Sequence, residues 1–294
     1  MVLPAASQPD NAFVSPKEAK MNIPQKTFEL RKEILTMVYR AKSGHLGGDF
    51  SVLETLAVLY NRVMDISPDR VDDPDRDRFV LSKGHTADAL YAVLADRGFF
   101  SKEELETFCR FGTRLIGHPN NKVPGVEMNS GSLGHGLSVC VGMALAGKLD
   151  GRLYRVYTVM GDGELAEGSV WEAAMCAAQY KLDNLCAVID RNGLQISGTT
   201  DRVMSTAGLE ERWRSFGWNP VTVADGNDPV QLESAFAQAR RCQKRPTVLI
   251  AHTVKGKGVS FMENQAAWHH KIPNEQEYAA AMAELEERGR SFNA

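Results

Sequence analysis

Apolar residues alternate along the chain between short uninterrupted runs and longer stretches with helical spacing. The runs predict buried strands at residues 78–82, 156–160, 185–190, 219–224 and 246–252. The helical spacing predicts helices over residues 27–41, 52–64, 86–97, 101–111, 137–149, 229–241 and 275–288. Strands that alternate with helices in this way are typical of an α/β fold with a mostly parallel sheet flanked by helices.

Polar residues mark where some of these elements begin and how the chain divides. Ser51 is expected to cap the second helix, and Ser101 with Glu104 is expected to form a capping box. Residues 1–24 are polar and contain proline, so we expect a flexible N-terminal arm. No linker interrupts the remainder, which predicts a single domain over 25–294.

The segment around Asp162 carries the strongest chemical signal in the chain. An apolar strand ends in Gly161-Asp162-Gly163, and a second strand delivers Asn192 about thirty residues later. A βαβ unit brings both strand ends to one edge of the sheet, where ligands bind in open α/β folds. A carboxylate and an amide oxygen suit Mg²⁺ or Ca²⁺ when a diphosphate adds further ligands. A solvated aspartate in an ordinary turn is the competing interpretation.

Composition excludes several classes of function. The chain has 294 residues, a hydrophobic content of 43% and a net charge of −3, which gives no reason to expect nucleic acid or an anionic membrane as a partner. It contains no apolar run of membrane-spanning length and no signal-peptide core. The five cysteines are scattered and include no C-x-x-C pair, which favours a cytoplasmic protein without disulfides.

Histidines gather in loops that follow strands or precede helices. Six of the seven lie in such loops, among them His45, His85, His118 and His269. A single loop histidine is more often a surface or capping residue, but several beside a metal-diphosphate site point to phosphate binding or proton transfer. A zinc site is disfavoured because no element carries a metal-ligand spacing. The order of a Walker P-loop is absent as well.

Two further features have more than one interpretation at this stage. The Lys255–Gly258 loop is interpreted as a mobile, solvated segment in preference to a phosphate clamp. Glu167 lies at a helix start, where a negative charge is favourable in itself. Alternatively, Glu167 faces a subunit boundary and relays protons or charge to a second active site.

The sequence resembles the N-terminal half of transketolase. The motifs that carry the resemblance occur in family order from about residue 30 to 275: SGHLGG, LSKGHTADALY, GHPNNKVPGVEMNSGSLGHGLS, MGDGELAEGSVWEAA, DRNGLQISG and TVKGKGVSFMEN with WHHKIPN. Together they are far more specific than the G-D-G and asparagine pair, which indicates only a thiamine diphosphate enzyme.

The resemblance implies a set of ligands for thiamine diphosphate and its metal. Mg²⁺ or Ca²⁺ would be held by Asp162, Asn192 and the backbone oxygen of Leu194. The diphosphate side of the cofactor would contact His85, Gly163, Asn192 and His269. The pyrimidine side would be lined by Gly131, Ser132 and Leu133.

It also implies catalytic roles. His45, His118 and His269 would face the sugar, and His45, His85 and His269 are candidates for proton transfer. Glu167 matches a glutamate that joins a carboxylate link between paired sites in the family. Three positions depart from the family pattern and put acceptor specificity in doubt: Leu46, His135 and His270.

The chain is about half as long as a single-chain transketolase. The missing half carries the glutamate that hydrogen-bonds the cofactor's pyrimidine and the arginines that bind sugar phosphate. We therefore expect a second chain with the pyrimidine-binding module, assembled as an α2β2 heterotetramer. The reaction would transfer a two-carbon ketol unit from a ketose, expected to be phosphorylated, to an aldose.

Two other functions stay open at the level of sequence. An alpha-type subunit of a 2-oxo acid dehydrogenase shares the G-D-G and asparagine pair and also has a partner chain. A non-catalytic module could bind thiamine diphosphate for sensing or scaffolding. The sugar-facing histidine loops argue against both. Neither the substrate's anionic group, phosphate or sulfonate, nor the metal follows from the sequence.

Overall fold

The computed structural model describes residues 22–290. The strands within this range are β1 (Arg78–Leu81), β2 (Val156–Gly161), β3 (Leu185–Arg191), β4 (Leu194–Gln195), β5 (Gly198–Thr199), β6 (Asn219–Val223) and β7 (Thr247–His252). The α-helices are α1 (Ile23–Ala41), α2 (Leu46–Val58), α3 (Ala87–Asp96), α4 (His135–Leu149), α5 (Gly168–Gln179), α6 (Thr200–Val203), α7 (Leu209–Ser215), α8 (Pro229–Arg241) and α9 (Glu275–Arg290). A π-helical turn, Leu59–Val63, extends α2, and 3-10 turns lie at Pro68–Arg70, Gly84–Thr86, Lys102–Thr107, Gly163–Ala166 and Ala266–His269.

Five strands form one sheet in the order β1-β2-β3-β7-β6, and every neighbouring pair is parallel. β4 and β5 form a separate antiparallel pair. The prediction of a mostly parallel sheet flanked by helices is therefore confirmed. The strand order reverses beyond β3, because β6 lies at the edge of the sheet and β7 returns to the position next to β3. Open α/β sheets leave a crevice for ligands where the order reverses.

The sheet is covered on both faces because successive side chains of each strand point to opposite sides. Leu81, Val159 and Val188 belong to the larger core, under α1, α2, α3, α8 and α9. Val156, Ile189 and Ile250 belong to the second core, under α4, α5 and α7. Burial on both faces explains why these strands appear in the sequence as continuous apolar runs instead of alternating ones.

The N-terminal prediction needs one correction. Residues 1–21 of the predicted arm, 1–24, lie outside the described residues. Ile23 and Pro24 do not extend it, because they form the first turn of α1. Asn22 caps this turn by accepting a hydrogen bond from the backbone of Gln25, and Ile23 is buried in the core. The single-domain assignment over 25–294 stays a prediction.

Both predicted serine caps were wrong. α2 begins at Leu46, so Ser51 lies inside the helix, where its hydroxyl donates to the Asp190 carboxylate and lies 2.9 Å from Gly48 O. Ser101 precedes a 3-10 turn instead of an α-helix, and its hydroxyl donates to Glu103. Glu104 forms an ion pair with Arg114 instead of completing the expected capping box.

The carboxyl ends of the strands converge on one edge of the sheet and place the chemistry there. Ser82 and Lys83 follow β1, Asp162 follows β2, and Asn192 follows β3. The long loop between the 3-10 turn at Lys102–Thr107 and α4 reaches the same edge, since Ser130 donates its hydroxyl to Leu81 O. No helix between residues 22 and 290 is long and apolar enough to cross a membrane.

Candidate active site

Asp162 and the turn at Asn192 meet at the ends of β2 and β3. The last residue of β2, Gly161, is paired with Asp190, so the two strands end together. One oxygen of the Asp162 carboxylate accepts the backbone N–H of Gly193 at 2.7 Å, and the other accepts that of Gly163 at 2.9 Å. The carboxylate is therefore buried beside Asn192, as the βαβ connection requires.

The amide of Asn192 is oriented by Asp190. Its Nδ2 donates to Asp190 Oδ2 at 3.1 Å, which fixes the amide nitrogen on that side. Its Oδ1 accepts the backbone N–H of Leu194 at 3.1 Å and retains a second lone pair. Lys83 pairs with the same Asp190 carboxylate, and the Ser51 hydroxyl donates to it at 2.6 Å.

These donors fit a hard cation that is completed by a diphosphate. Burial, followed by the charge of Asp190, raises the pKa of Asp162 to about 6, so a nearby cation would stabilise its charged form. Within residues 22–290, no group of three or more His, Cys, Asp and Glu side chains is placed to hold a metal. One carboxylate with amide and carbonyl oxygens needs further oxygen ligands, which a diphosphate can supply. Space for it exists, because a Cβ built on Gly161 or Gly193 would meet nothing within 4 Å.

The four predicted histidines converge beside this edge of the sheet. The ring of His45 is 5.3 Å from that of His85, 6.3 Å from His118 and 5.7 Å from His269. His85 and His269 are 5.1 Å apart. His270, one of the departures from the family pattern, stacks on His45 at 4.5 Å.

The interior of this cluster is neutral near pH 7. Burial, followed by the charges of its neighbours, lowers the pKa of His45 to about 3 and that of His269 to about 4. Burial, followed by Lys83, also lowers the pKa of His85 well below its usual range, and burial lowers that of His118. Neutral imidazoles can each donate one hydrogen bond and accept another, which suits contacts with hydroxyl groups.

Lys255 corrects the interpretation of its loop as mobile and solvated. Its side chain is buried at 2% exposure, and its Nζ lies 3.3 Å from Nδ1 of His269. The loop packs on α2, where Gly256 donates its N–H to Gly47 O. Burial, followed by Lys83, lowers the pKa of Lys255 to about 8. Two buried lysines beside Asp162 make this edge suited to an anionic group.

The glycine-rich loop, residues 129–134, lies over the histidines. A Cβ on Gly131 would come within 2.8 Å of the His118 ring, so only glycine allows this approach. Ser132 and Leu133 are exposed at the rim. Glu167 is also exposed, at the start of α5, and its side chain packs against Gly134.

The buried partners that support these residues were not predicted from the sequence. Glu164 is buried and accepts from the Ser82 hydroxyl and from the N–H groups of Gly134 and Gly161. Asp190 and Lys83 were overlooked in the same way. A signal was present for Asp190, because it is a charged residue at the end of an otherwise apolar buried strand.

Comparison with known proteins decides the family. The family profile "Transketolase, thiamine diphosphate binding domain" matches residues 26–288. The chain belongs to the transketolase family. Its sheet and helices also superpose on transketolase from Leishmania mexicana with a TM-score of 0.84 and 30% identity, over 90% of this chain and 41% of that one. The chain thus spans about two fifths of that solved transketolase.

Two shorter relatives match along nearly their whole length. The chain is 51% identical over 258 residues to a protein of Phocaeicola vulgatus that is named as one subunit of an apulose-4-phosphate transketolase, and the match covers 88% of this chain and 92% of the relative. It is 43% identical over 273 residues to "6-deoxy-6-sulfo-D-fructose transketolase subunit SqwG" of a Clostridium species, covering 92% and 99%. Both relatives are named as subunits of transketolases.

Replacing Lys255 by methionine is expected to weaken the binding of thiamine diphosphate about 10- to 100-fold, the size of one lost hydrogen bond to a charged group. Methionine keeps the buried aliphatic volume of the lysine stem. Calorimetric titration of the cofactor in saturating Mg²⁺ measures the effect. Lys257→Met, two residues along the same loop, is the matched control. Equal affinities for the two variants would show that Lys255 does not contact the diphosphate.

Proposed function

We propose that this chain is the thiamine-diphosphate- and metal-binding subunit of a two-chain transketolase. The enzyme transfers a two-carbon ketol unit from a ketose to an aldose acceptor. The observation that carries the proposal is the match over 92% and 99% of two relatives named as transketolase subunits. The shared edge that holds Asp162 and Asn192 supports it independently.

Metal binding is assigned to Asp162, Asn192 and the backbone oxygen of Leu194. A carboxylate, an amide oxygen and a carbonyl are all hard oxygen donors, which favours Mg²⁺ or Ca²⁺ over softer metals. Because Asp190 holds the Asn192 amide nitrogen, the amide is fixed with its oxygen available to a ligand. Support of this kind by hydrogen-bonded partners is general in metal sites.

The cofactor is assigned to the surfaces on either side of this metal site. His85, Gly163, Asn192 and His269 hold its diphosphate, and Gly131, Ser132 and Leu133 line its pyrimidine side. When bound, thiamine diphosphate supplies an electron sink for the carbanion, and the protein orients groups and excludes water. The buried Lys83 and Lys255 add positive charge on the diphosphate side.

Sugar binding and proton transfer are assigned to the histidine cluster. His45, His118 and His269 face the hydroxyl groups and carbonyl of the sugar, and His45, His85 and His269 exchange protons with it. The lowered pKa values keep these imidazoles neutral near pH 7, which supports the sugar-binding part of the assignment, since a neutral ring can accept one hydrogen bond and donate another.

The partner is a second chain that carries the pyrimidine-binding module and its glutamate. We assign an α2β2 heterotetramer, in which cofactor lies between the modules of two chains. Glu167 is exposed beside the glycine-rich loop, which supports its proposed position at a subunit boundary. The five cysteines are free in the structure, which supports a cytoplasmic location.

The donor is a ketose with a terminal anionic group. Of the two relatives, one is named for a sugar phosphate and the other for a sulfonated sugar. Family membership favours ketol transfer over the two alternatives, which are part of a 2-oxo acid dehydrogenase and a non-catalytic binding module. Activity on ketoses, with none on pyruvate-type acids, separates the main proposal from the dehydrogenase.

Mixing the chain with a partner that carries the pyrimidine-binding module is expected to produce ketol transfer that neither chain shows alone. The assay follows aldose consumption with thiamine diphosphate, Mg²⁺ and panels of ketose phosphates and ketose sulfonates. A mixture that contains Asp162→Ala in place of the natural chain serves as the inactive control. Transfer by the isolated chain, or an inactive mixture with such a partner, would contradict the two-chain proposal.

A further inference from the structure

The peptide bond between Gly44 and His45 is held on both of its polar sides. Its N–H donates to Asp88 Oδ2 at 3.2 Å, and its C=O accepts from His270 Nδ1 at 2.8 Å. A carbonyl can only accept, so His270 carries its hydrogen on Nδ1. Because His270 also stacks on the His45 ring, these contacts fix both the backbone and the side chain of His45.

The loop that contains Gly44 and His45 lies directly on the Asp88 carboxyl group. Gly44 has φ +146°, and a Cβ at this position would lie 2.5 Å from Asp88 Oδ2 and 2.4 Å from Val38 Cγ2. Glycine alone provides both the backbone conformation and the space. A displacement of Asp88 would therefore be transmitted to the backbone of Gly44 and His45.

Asp88 is itself paired with a second buried acid, Asp49. Both residues are 0% exposed, and their carboxyl groups lie close enough for a hydrogen bond between them. The other oxygen of Asp49 accepts the backbone N–H of Ala89 at 3.3 Å. Asp49 Oδ2 and Asp88 Oδ1 are buried and accept no hydrogen bond from any N–H group or hydroxyl within the described part of the chain. Two carboxylates only accept, so a hydrogen bond between them requires a proton on one of them.

Few titratable groups in the described residues face the pair. Lys83 and Lys255 are the positive charges that act on Asp49, and the neutral side chains of Tyr91 and Cys109 lie near Asp88. α1 contributes only the apolar Val38 beside Gly44. Burial, followed by the charge of Asp88, raises the pKa of Asp49 well above its usual range. Burial raises the pKa of Asp88 to about 7. Both shifts favour a proton that the pair retains at a pH where isolated aspartates have lost theirs.

We propose that Asp49 and Asp88 share one proton and act as a positioning pair that holds the Gly44–His45 peptide and turns His45 into the histidine cluster. The pair deepens the proposed function, since its effect on turnover depends on the role of His45 there. Its effect on the position of His45 does not depend on that role. Both carboxyl groups are 0% exposed and so cannot contact a ligand directly, which means that both act through the loop.

Asparagine substitutions test the shared proton because an amide imitates it permanently. In Asp49→Asn, the amide oxygen can accept from Ala89 and the amide nitrogen can donate to Asp88. In Asp88→Asn, the amide oxygen can accept from the His45 N–H and the amide nitrogen can donate to Asp49. In the double variant, the two amide nitrogens face each other without an acceptor. We therefore expect each single variant to fold stably and the double variant to be less stable than the two single effects predict.

The pH dependence of unfolding gives a second measurement. A folded-state pKa above the unfolded value of 3.8 means that the folded protein retains a proton that the unfolded chain releases. The stability of the natural chain relative to Asp49→Asn therefore falls as pH rises above the unfolded pKa and levels off at the folded pKa. Its unfolding constant, relative to that of the variant, should rise about tenfold per pH unit over that window. The exposed Asp72→Asn is the control and should leave the slope unchanged.

Histidine NMR on the full chain reports the positioning directly. Asp88→Ala removes the acceptor of the His45 N–H, and the ring resonances of His45 should shift, with its pKa rising from about 3 toward the ordinary value. Asp88→Asn should restore both. The proposal is overturned if Asp88→Ala leaves His45 unchanged or if Asp49→Asn leaves the pH slope unchanged. If the NMR results are as expected but the natural two-chain assembly shows no ketol transfer, the proposed function is refuted and the positioning role of the pair stands.

Discussion

Replacing Asp162 by alanine is expected to reduce the affinity for thiamine diphosphate in Mg²⁺ by more than the roughly 10- to 100-fold that is lost with a supporting residue of a metal site. The substitution removes the one carboxylate proposed as a metal ligand. It also leaves the N–H groups of Gly163 and Gly193 without their acceptor, so the turn that presents Asn192 loses its anchor. Metal and cofactor binding should therefore fail together.

The measurement is calorimetric titration of the cofactor into the two-chain assembly, with and without Mg²⁺. Asp162→Asn should give an intermediate affinity, because it keeps an oxygen ligand and loses the negative charge. Glu172→Ala removes an exposed carboxylate from α5 and serves as the control for lost charge. Circular dichroism of each variant without cofactor checks that it is folded. Unchanged cofactor affinity in a folded Asp162→Ala protein would refute the metal assignment.

Much of the fold could be predicted from the sequence because the main strands are buried on both faces. Such strands must be apolar along their whole length, so β2 and β3 are visible as continuous runs. The ends of α2 were harder to predict. Its first turn contains Gly47 and Gly48, which usually favour loops, yet here they allow close packing against Trp268 and Thr86. Tertiary contacts override local preference at this point.

The candidate site likewise contains residues that could be predicted from the sequence and residues that could not. The residues proposed as metal ligands follow the ends of β2 and β3, His85 follows β1, and the topology of a parallel sheet brings strand ends together. The buried pairs could not be predicted, because Lys83 meets Asp190 across 107 residues of sequence. Asp49 and Asp88 lie in helices that are largely apolar and carry two acids each, and nothing in the local pattern pairs one helix with the other. Lys255 appeared solvated because lysine usually is, and only the packing of its loop on α2 reverses that expectation.

Replacing Lys83 by methionine is expected to destabilise the folded chain by about 3–5 kcal/mol, the usual effect of leaving a buried charge without its partner. Lys83 is 1% exposed and Asp190 is 2% exposed, so water cannot take over the role of the ammonium group. Burial by itself would raise the pKa of Asp190, but Lys83, with the hydroxyls of Ser51 and Thr253, lowers it below its usual range. Without Lys83 the carboxylate is uncompensated, and its hold on the Asn192 amide weakens as well.

Chemical denaturation of the chain measures this loss, and a second substitution identifies its cause. Lys83→Met combined with Asp190→Asn should recover a large part of the stability, because the double variant contains neither charge and keeps an acceptor for Ser51. Lys148→Met breaks an ion pair with Asp183 whose side chains are 24% and 28% exposed, and it should cost only about 0–1 kcal/mol. A loss that persists undiminished in the double variant would point to packing of the lysine stem, and the charge of Asp190 would not be its cause.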